Sequence, residues 1–269
     1  MTTVLDVLAV LEAFAPVRWT RLVHSRDNIG LLVGRRSAAV THVLVALDVT
    51  GPVIREARDI GAQLIVAHHP VVYGEGVRAI TDATMAGSLL MELIENKLAA
   101  ICMHTNLDAA PGGINDLLAR AVGLENEPDI LGSSYHDLDG RRFGLGRVGM
   151  LPTPLSPGEL AASVKTALGC RGVRYVDGGR PCQFVAVGSG NSCSQWDDVL
   201  QRGCDAFITG DVKYNLFLEA QRAGVTLIDA GHFPTEYLIV PWLAAFLRDK
   251  LPGLEIIEAK VKEEPTIWI

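Results

Sequence analysis

Cysteine is scarce in this chain and shows no pairing pattern. The 269 residues hold five, Cys102, Cys170, Cys182, Cys193 and Cys204. An odd number with no Cys-x-x-Cys spacing excludes both a disulfide framework and a thiolate-rich structural zinc site. Reduced, buried thiols and a cytoplasmic location are the expectation. Positive charge is also in deficit: 24 Lys and Arg stand against 31 Asp and Glu, a net charge of -7. A broad nucleic-acid surface needs a basic face, so nucleic acid is not an expected partner, and Arg35-Arg36 and Arg141-Arg142 read as solvated loop charges. Long apolar runs are missing too. The longest near the C-terminus, Leu238 to Leu247, is about half of the roughly 20 residues a membrane span needs. The segment Thr2 to Phe14 contains Asp6 and Glu12 and lacks the basic start of a signal peptide. No membrane partner is expected. What is not missing is core material. Apolar residues make up 49% and mean hydropathy is +0.25, the opposite of a disordered composition.

Apolar periodicity alternates between strand and helix along nearly the whole chain. Val4, Leu5, Leu8, Leu11 and Phe14 recur at helical spacing, with Thr2 or Thr3 and Asp6 supplying capping chemistry. Strands are predicted at Val40 to Leu47, Leu64 to Ala67 and Leu98 to Met103. Helices are predicted at Pro52 to Ile60 and Met85 to Lys97. Glu125 to Asp139 is polar, lacks sustained periodicity and contains Pro128 and Gly132, which marks it as a boundary. Beyond it strands at Ala206 to Thr209 and Val225 to Ile228 flank a helix over Val212 to Arg222, and a long helix is predicted over Pro234 to Leu247. This alternation predicts an α/β fold with mixed, largely parallel sheets. Two lobes are expected. Residues 1–125 and 230–269 form the first and carry the metal-capable side chains, and residues 126–229 form the second.

The chain has seven histidines, and four of them fall in three short segments: Ala67-His68-His69-Pro70, His104 to Asp108, and Gly231 to Glu236. Each segment follows a predicted strand, and the carboxyl ends of strands form the ligand-binding rim of an open α/β sheet. Imidazole and carboxylate suit zinc, manganese, iron and cobalt. His68 and His69 would point apart in a continuing strand, but Pro70 ends it, so both rings are free to converge. His104 and Asp108 suit one ligand plus an outer partner. His232 and Glu236, four apart with Pro234 between them, are expected to face the same way from the first turn of a helix. Five or six ligands exceed one tetrahedral site, which favours two ions. Asp27-Asn28 before Gly30 reads first as turn chemistry. Asp48, before Thr50 and Pro52, reads as a helix cap. Gly188 to Ser192 reads as a plain loop rather than a phosphate cradle. Lys213 beside Asp211 reads evenly as an ion pair or a ligand-facing charge.

These segments, together with Asp27 to Gly34, Ala46 to Thr50 and Thr209 to Lys213, resemble the Nif-three-like family, the YbgI-type proteins labelled GTP cyclohydrolase I type 2 homologs. The matching stretches run in family order along nearly the whole chain. The resemblance implies a dinuclear metal centre in the cleft between two α/β lobes and a homohexameric ring built from dimers. By motif it makes His68, His69, Asp108, His232 and Glu236 metal ligands, with Asp108 bridging, and His104 a pocket histidine beside them. At this length the chain matches the short form without an inserted domain. Asn215 stands where relatives often place a histidine, and Pro234 replaces a small residue.

Two functions from different classes follow. The first is a metal-dependent hydrolase of a nucleotide or related small molecule, with two divalent ions (Zn, Mn, Fe or Co) and His104 as general acid/base. The second is a non-enzymatic metal-binding scaffold or interaction ring. Both use the same ligands, so the remainder of the pocket has to separate them.

Overall fold

The computed structural model describes residues 1–24, 27–74, 76–125, 127–261, 264, 266, 267 and 269. In chain order its strands are β1 Gly30–Val33, β2 His42–Ala46, β3 Leu64–Ala67, β4 Ala99–Cys102, β5 Asp129–Ile130, β6 Tyr135–His136, β7 Arg142–Phe143, β8 Arg147–Leu155, β9 Arg174–Val176, β10 Cys182–Val187, β11 Ala206–Thr209, β12 Thr226–Asp229 and β13 Glu255–Glu258. The chain divides into two compact units. One comprises Met1–Leu107 and Ile239–Glu263, the other Asp108–Leu238 and Glu264–Ile269.

The first unit is built on a five-stranded sheet in the order β1-β4-β3-β2-β13. All pairings are parallel except that of the edge strand β1 with β4. Every residue of β3 and β4 is buried, which is why both read as unbroken apolar runs rather than alternating ones. Leu44, Ala46, Ile65, Ala67, Ala100 and Cys102 share one face and pack with Ile54, Leu90 and Leu93 from two helices. Those helices are Gly51–Asp59, capped by Thr50, and Met85–Glu95, capped by Thr84. The first helix, Val4–Phe14, opens on a capping box between Thr3 and Asp6. Register is what matters for function. Ala46 pairs with Ala67 and Ala67 with Cys102, so β2, β3 and β4 end level. The residues just beyond, Asp48, His68-His69 and His104, therefore emerge on one rim. Because β1 runs antiparallel and pairs Gly30 with Cys102, its beginning lies on that rim too and brings Asp27 there.

The second unit carries a six-stranded sheet in the order β5-β8-β10-β11-β12-β9. β10, β11 and β12 are parallel at its centre, and β5, β8 and β9 are added antiparallel. Its alternating residues feed two cores. Val185, Val187, Ile208 and Ile228 face one, and Val148, Ala186, Phe207 and Leu227 face the other. The helix Ile114–Ala121 sends Leu118 and Ala119 into the first of these. The units accordingly break between Leu107 and Asp108 and between Leu238 and Ile239, not at 125/126 and 229/230 as expected from sequence. This places Asp108, His232 and Glu236 in the second unit. The long helix expected over Pro234 to Leu247 is two helices, His232–Glu236 and Ile239–Lys250.

Arg147 at the start of β8 ties down the segment that follows Asp108. It is 3% exposed and uses all five of its N–H donors. Nε and one Nη2 hydrogen bond go to the Asp116 carboxylate at 2.6 and 2.9 Å. The others go to the carbonyls of Gly144, Gly146 and Ala110.

No helix among the described residues is long and apolar enough to cross a membrane. All five cysteines are free thiols, and all but Cys193 are buried. Burial pushes the Cys102 and Cys204 thiols up to about 12 and Cys170 to about 11. Because the thiolate is the nucleophile, a disulfide reagent at pH 8 is expected to label native protein at Cys193 alone, and slowly, since burial raises that thiol also. Denaturant should expose all five. A thiol count before and after unfolding checks this.

Candidate metal centre

In the first unit, three histidine rings gather at the rim. The backbone turns after β3, with His69 N–H donating to the Leu47 carbonyl at 2.9 Å. The rings of His68 and His69 end 4.9 Å apart between centroids, and that of His104 lies 5.1 and 5.5 Å from them. One ligand-capable atom of each of the three falls within 4.8 Å of the others. His68 is fully buried, and its Nδ1 lies 2.8 Å from the Met103 carbonyl oxygen. A carbonyl only accepts, so Nδ1 carries the proton and the neutral ring keeps its lone pair on Nε2. His69 and His104 repeat the arrangement against carboxylates. His69 Nδ1 is 2.8 Å from Asp48 Oδ1, and His104 Nδ1 is 2.9 and 3.0 Å from the two Asp27 oxygens.

Asp27 is fixed as an anion. Burial works to raise its pKa, but the His104 hydrogen bond and charge, joined by Thr105, outweigh it and hold the carboxyl at about 2. Thr105 supplies two of those donors, its hydroxyl at 2.7 Å and its N–H at 3.2 Å.

In the second unit the ends of the three parallel strands supply the polar groups. β12 ends at Asp229, whose carboxylate accepts from the Gly231 and Val212 N–H groups and pairs with Arg174. This shapes the turn into the short helix His232–Glu236. His232 and Glu236 face the same way, Nε2 to Oε2 at 3.0 Å. His232 Nδ1 is held by Asp211 Oδ2 at 2.8 Å. Asp211 sits in the left-handed region, φ 53°, which is uncommon for a residue with a side chain, although Asp tolerates it better than most. Asp108 is tethered through its carbonyl to Asn115 Nδ2 at 2.9 Å, and its Oδ1 accepts from Ser189 Oγ at 3.4 Å. Gly190, φ +53°, has to be glycine: a Cβ there would overlap the Glu236 carboxylate and stand 3.1 Å from His232 Nε2.

The structure assigns work to three aspartates whose first reading in the sequence was ordinary turn or cap chemistry, or left open. Asp48 holds His69, and Thr50 caps the helix instead. Asp27 holds His104 and Asp211 holds His232. Their signal was position alone, since each stands just past a strand end or, for Asp27, just before the antiparallel edge strand. The Asp211 carboxylate pairs with His232 rather than with Lys213. The Gly188 to Ser192 loop is not a phosphate cradle. The N–H groups of Gly188, Ser189, Gly190 and Ser192 donate to Ile208, Asn115, Thr235 and Thr209.

All four histidines thus have Nδ1 against an oxygen acceptor, the outer arrangement that orients metal-binding imidazoles and fixes their tautomer. Imidazole nitrogens with carboxylate oxygens form a donor set for zinc, manganese, iron or cobalt. The residues present fit a divalent metal.

The family model for Duf34/NIF3 (NGG1p interacting factor 3) matches residues 2–265. A Clostridium perfringens protein named GTP cyclohydrolase 1 type 2 homolog is 32% identical over 266 residues, covering 98% of both chains. A Streptomyces coelicolor protein of the same name is 36% identical over 241 residues, covering 88% of this chain and 81% of its own. Among solved structures, the hypothetical protein SA1388 of Staphylococcus aureus superposes with a TM-score of 0.86 at 27% identity, over 99% of each chain. A Bacillus cereus protein related to NIF3 shares the fold with a TM-score of 0.89 at 23% identity, over 100% of this chain and 99% of its own. By sequence and by fold, the chain belongs to the Duf34/NIF3 family.

Proposed function

We propose that the chain is a dinuclear metal-dependent hydrolase acting on a nucleotide or related small molecule, working in the cytoplasm as a homohexamer. His68, His69, Asp108, His232 and Glu236 would hold two divalent ions, with Asp108 bridging. The observation that carries this reading is the shared tether of the four histidines. Met103, Asp48, Asp27 and Asp211 each occupy one Nδ1, so Nε2 is the nitrogen through which each ring would bind a metal or a proton. A pair of bound divalent ions would supply a hydroxide nucleophile at neutral pH and stabilise charge developing in the transition state.

The chain's own residues handle the protons. His104 Nε2 takes a proton from the attacking water or returns one to the leaving group. Asp27, ionised throughout the neutral range, keeps Nδ1–H in place and stabilises the imidazolium as it forms, the role a buried aspartate plays behind a catalytic histidine. Asp48 and Asp211 orient their imidazoles in the same manner. The relatives' name, GTP cyclohydrolase 1 type 2 homolog, makes guanine nucleotides the first substrates to try.

The test is turnover of a panel of nucleotides and phosphoesters by metal-loaded protein and by His104→Ala. The variant is expected to keep its metal and lose about 10²–10⁴ of the rate, the usual contribution of a general acid/base. Turnover unchanged in the variant would remove His104 from the chemistry. Metal-loaded protein inert toward the whole panel would favour the scaffold reading.

A further inference from the structure

We infer that the cavity beside His69 in the first unit recognises a planar heteroaromatic ring bearing N–H donors, the uncharged portion of the substrate, and not its phosphates. This rests on the hydrolase reading and narrows its substrate class. The cavity has a volume of about 470 Å³, inside the range of small-molecule sites, roughly 300–1,000 Å³. Asp48, His69, Val71, Tyr73, Met85 and Leu89 line it.

Val71 and Leu89 in that lining serve the core, but Tyr73 and Met85 do not. The helix Met85–Glu95 spends Leu90 and Leu93 on the core, yet it leaves Met85 80% exposed. Tyr73 is 62% exposed, and its ring stands edge-on to His104, 89° between planes at 6.4 Å. A large aromatic and a flexible thioether left in water at the mouth of a cavity are suited to the faces of a flat ring. His69 in the lining places such a ring beside a candidate metal ligand.

The polar groups decide which ring. Asp48 accepts from His69 through Oδ1, and its side chain remains 48% exposed. The carboxylate therefore retains acceptor capacity for a ring N–H or an exocyclic amino group. Among the described lining residues there is no lysine or arginine, so the charged side chain a phosphate would meet in that lining is the Asp48 carboxylate. The helix Gly51–Asp59 begins at the cavity, but Thr50 already takes the Val53 N–H at 3.4 Å and Pro52 has none to give. Little of that terminus is left for an anion.

The experiment titrates full-length protein, metal-loaded and metal-free, with 2-aminopurine and follows quenching of its fluorescence. Tyr73→Ala and Met85→Glu are compared with wild type, since both positions are exposed and dispensable for the core. Saturable quenching is expected, weakened about fivefold or more in each variant, as for loss of a stacking contact, and insensitive to excess inorganic pyrophosphate. Absence of saturable binding, equal affinity in all three proteins, or displacement by pyrophosphate would overturn the inference. Binding is read without turnover, which separates the two readings. Protein that binds the probe and hydrolyses nothing defeats the hydrolase alone, and protein that hydrolyses nucleotides without binding the probe defeats the recognition pocket alone.

Discussion

Asp116→Ala should lower the unfolding free energy by about 3–5 kcal/mol, the usual cost of breaking a buried ion pair by deleting one partner. The Arg147 guanidinium is 3% exposed and Asp116 13%, so water cannot rescue the charge left behind. Two of the five Arg147 donors would lose their acceptor, and the Gly112 N–H, 2.6 Å from Asp116 Oδ2, would lose its own. Much of that cost is the orphaned charge rather than the pair's net worth, so an Asp116→Leu/Arg147→Met double variant should recover part of it. Urea unfolding of the three variants with unchanged m values checks this. The pair also anchors the residues after Asp108 through the Ala110 carbonyl, so the single variant should disturb metal retention as well as stability. A loss below about 1 kcal/mol, the scale of a surface salt bridge, would mean the pair is not buried as described.

The second large effect concerns metal affinity. If His232 is a ligand as proposed, His232→Ala should weaken binding by more than about 100-fold, whereas loss of an outer partner costs about 10–100-fold. Asp211→Ala provides that comparison, since it leaves the ring in place and removes only the acceptor at 2.8 Å. His232 has a side-chain exposure of 37%, so neither change should unfold the protein. The expected order of affinity is wild type, then Asp211→Ala, then His232→Ala, measured by competition with a chelator. An Asp211→Ala protein as impaired as His232→Ala would show that the aspartate binds metal itself.

How far these roles could be read in advance depended on distance along the chain. Leu64 to Ala67 and Leu98 to Met103 announce themselves as buried strands by unbroken apolar sequence, and a histidine directly after such a strand can be placed on a rim without knowing anything else. The His232–Glu236 pair was legible because four residues is a helical repeat. The aspartates were not legible, because the partner that gives each its role lies elsewhere: 77 residues separate Asp27 from His104, and 21 separate Asp48 from His69 and Asp211 from His232. Locally Asp-Asn before a glycine is a turn, and only the antiparallel pairing of β1 with β4 brings it to His104. The unit boundary had the same difficulty. The stripe of Ile114, Leu118 and Ala119 shows that a helix has a buried face, but not which of two sheets it covers. The long helix over Pro234 to Leu247 was a continuous apolar pattern, and its break near residues 237–238 left no trace in periodicity.

The proposed function requires the chain to bind two divalent metal ions, with His68, His69, Asp108, His232 and Glu236 as the proposed ligands. Elemental analysis of tag-free protein, after reconstitution with manganese, iron, zinc or cobalt, tests it most directly when run beside a His68→Ala/Asp108→Ala variant. The account predicts about two ions per wild-type chain with at least one of these metals, two being the number that five ligands with a bridging carboxylate accommodate, and loss of both in a variant that still folds. Wild-type protein that stays metal-free with all four, or a variant that keeps its ions, would contradict it.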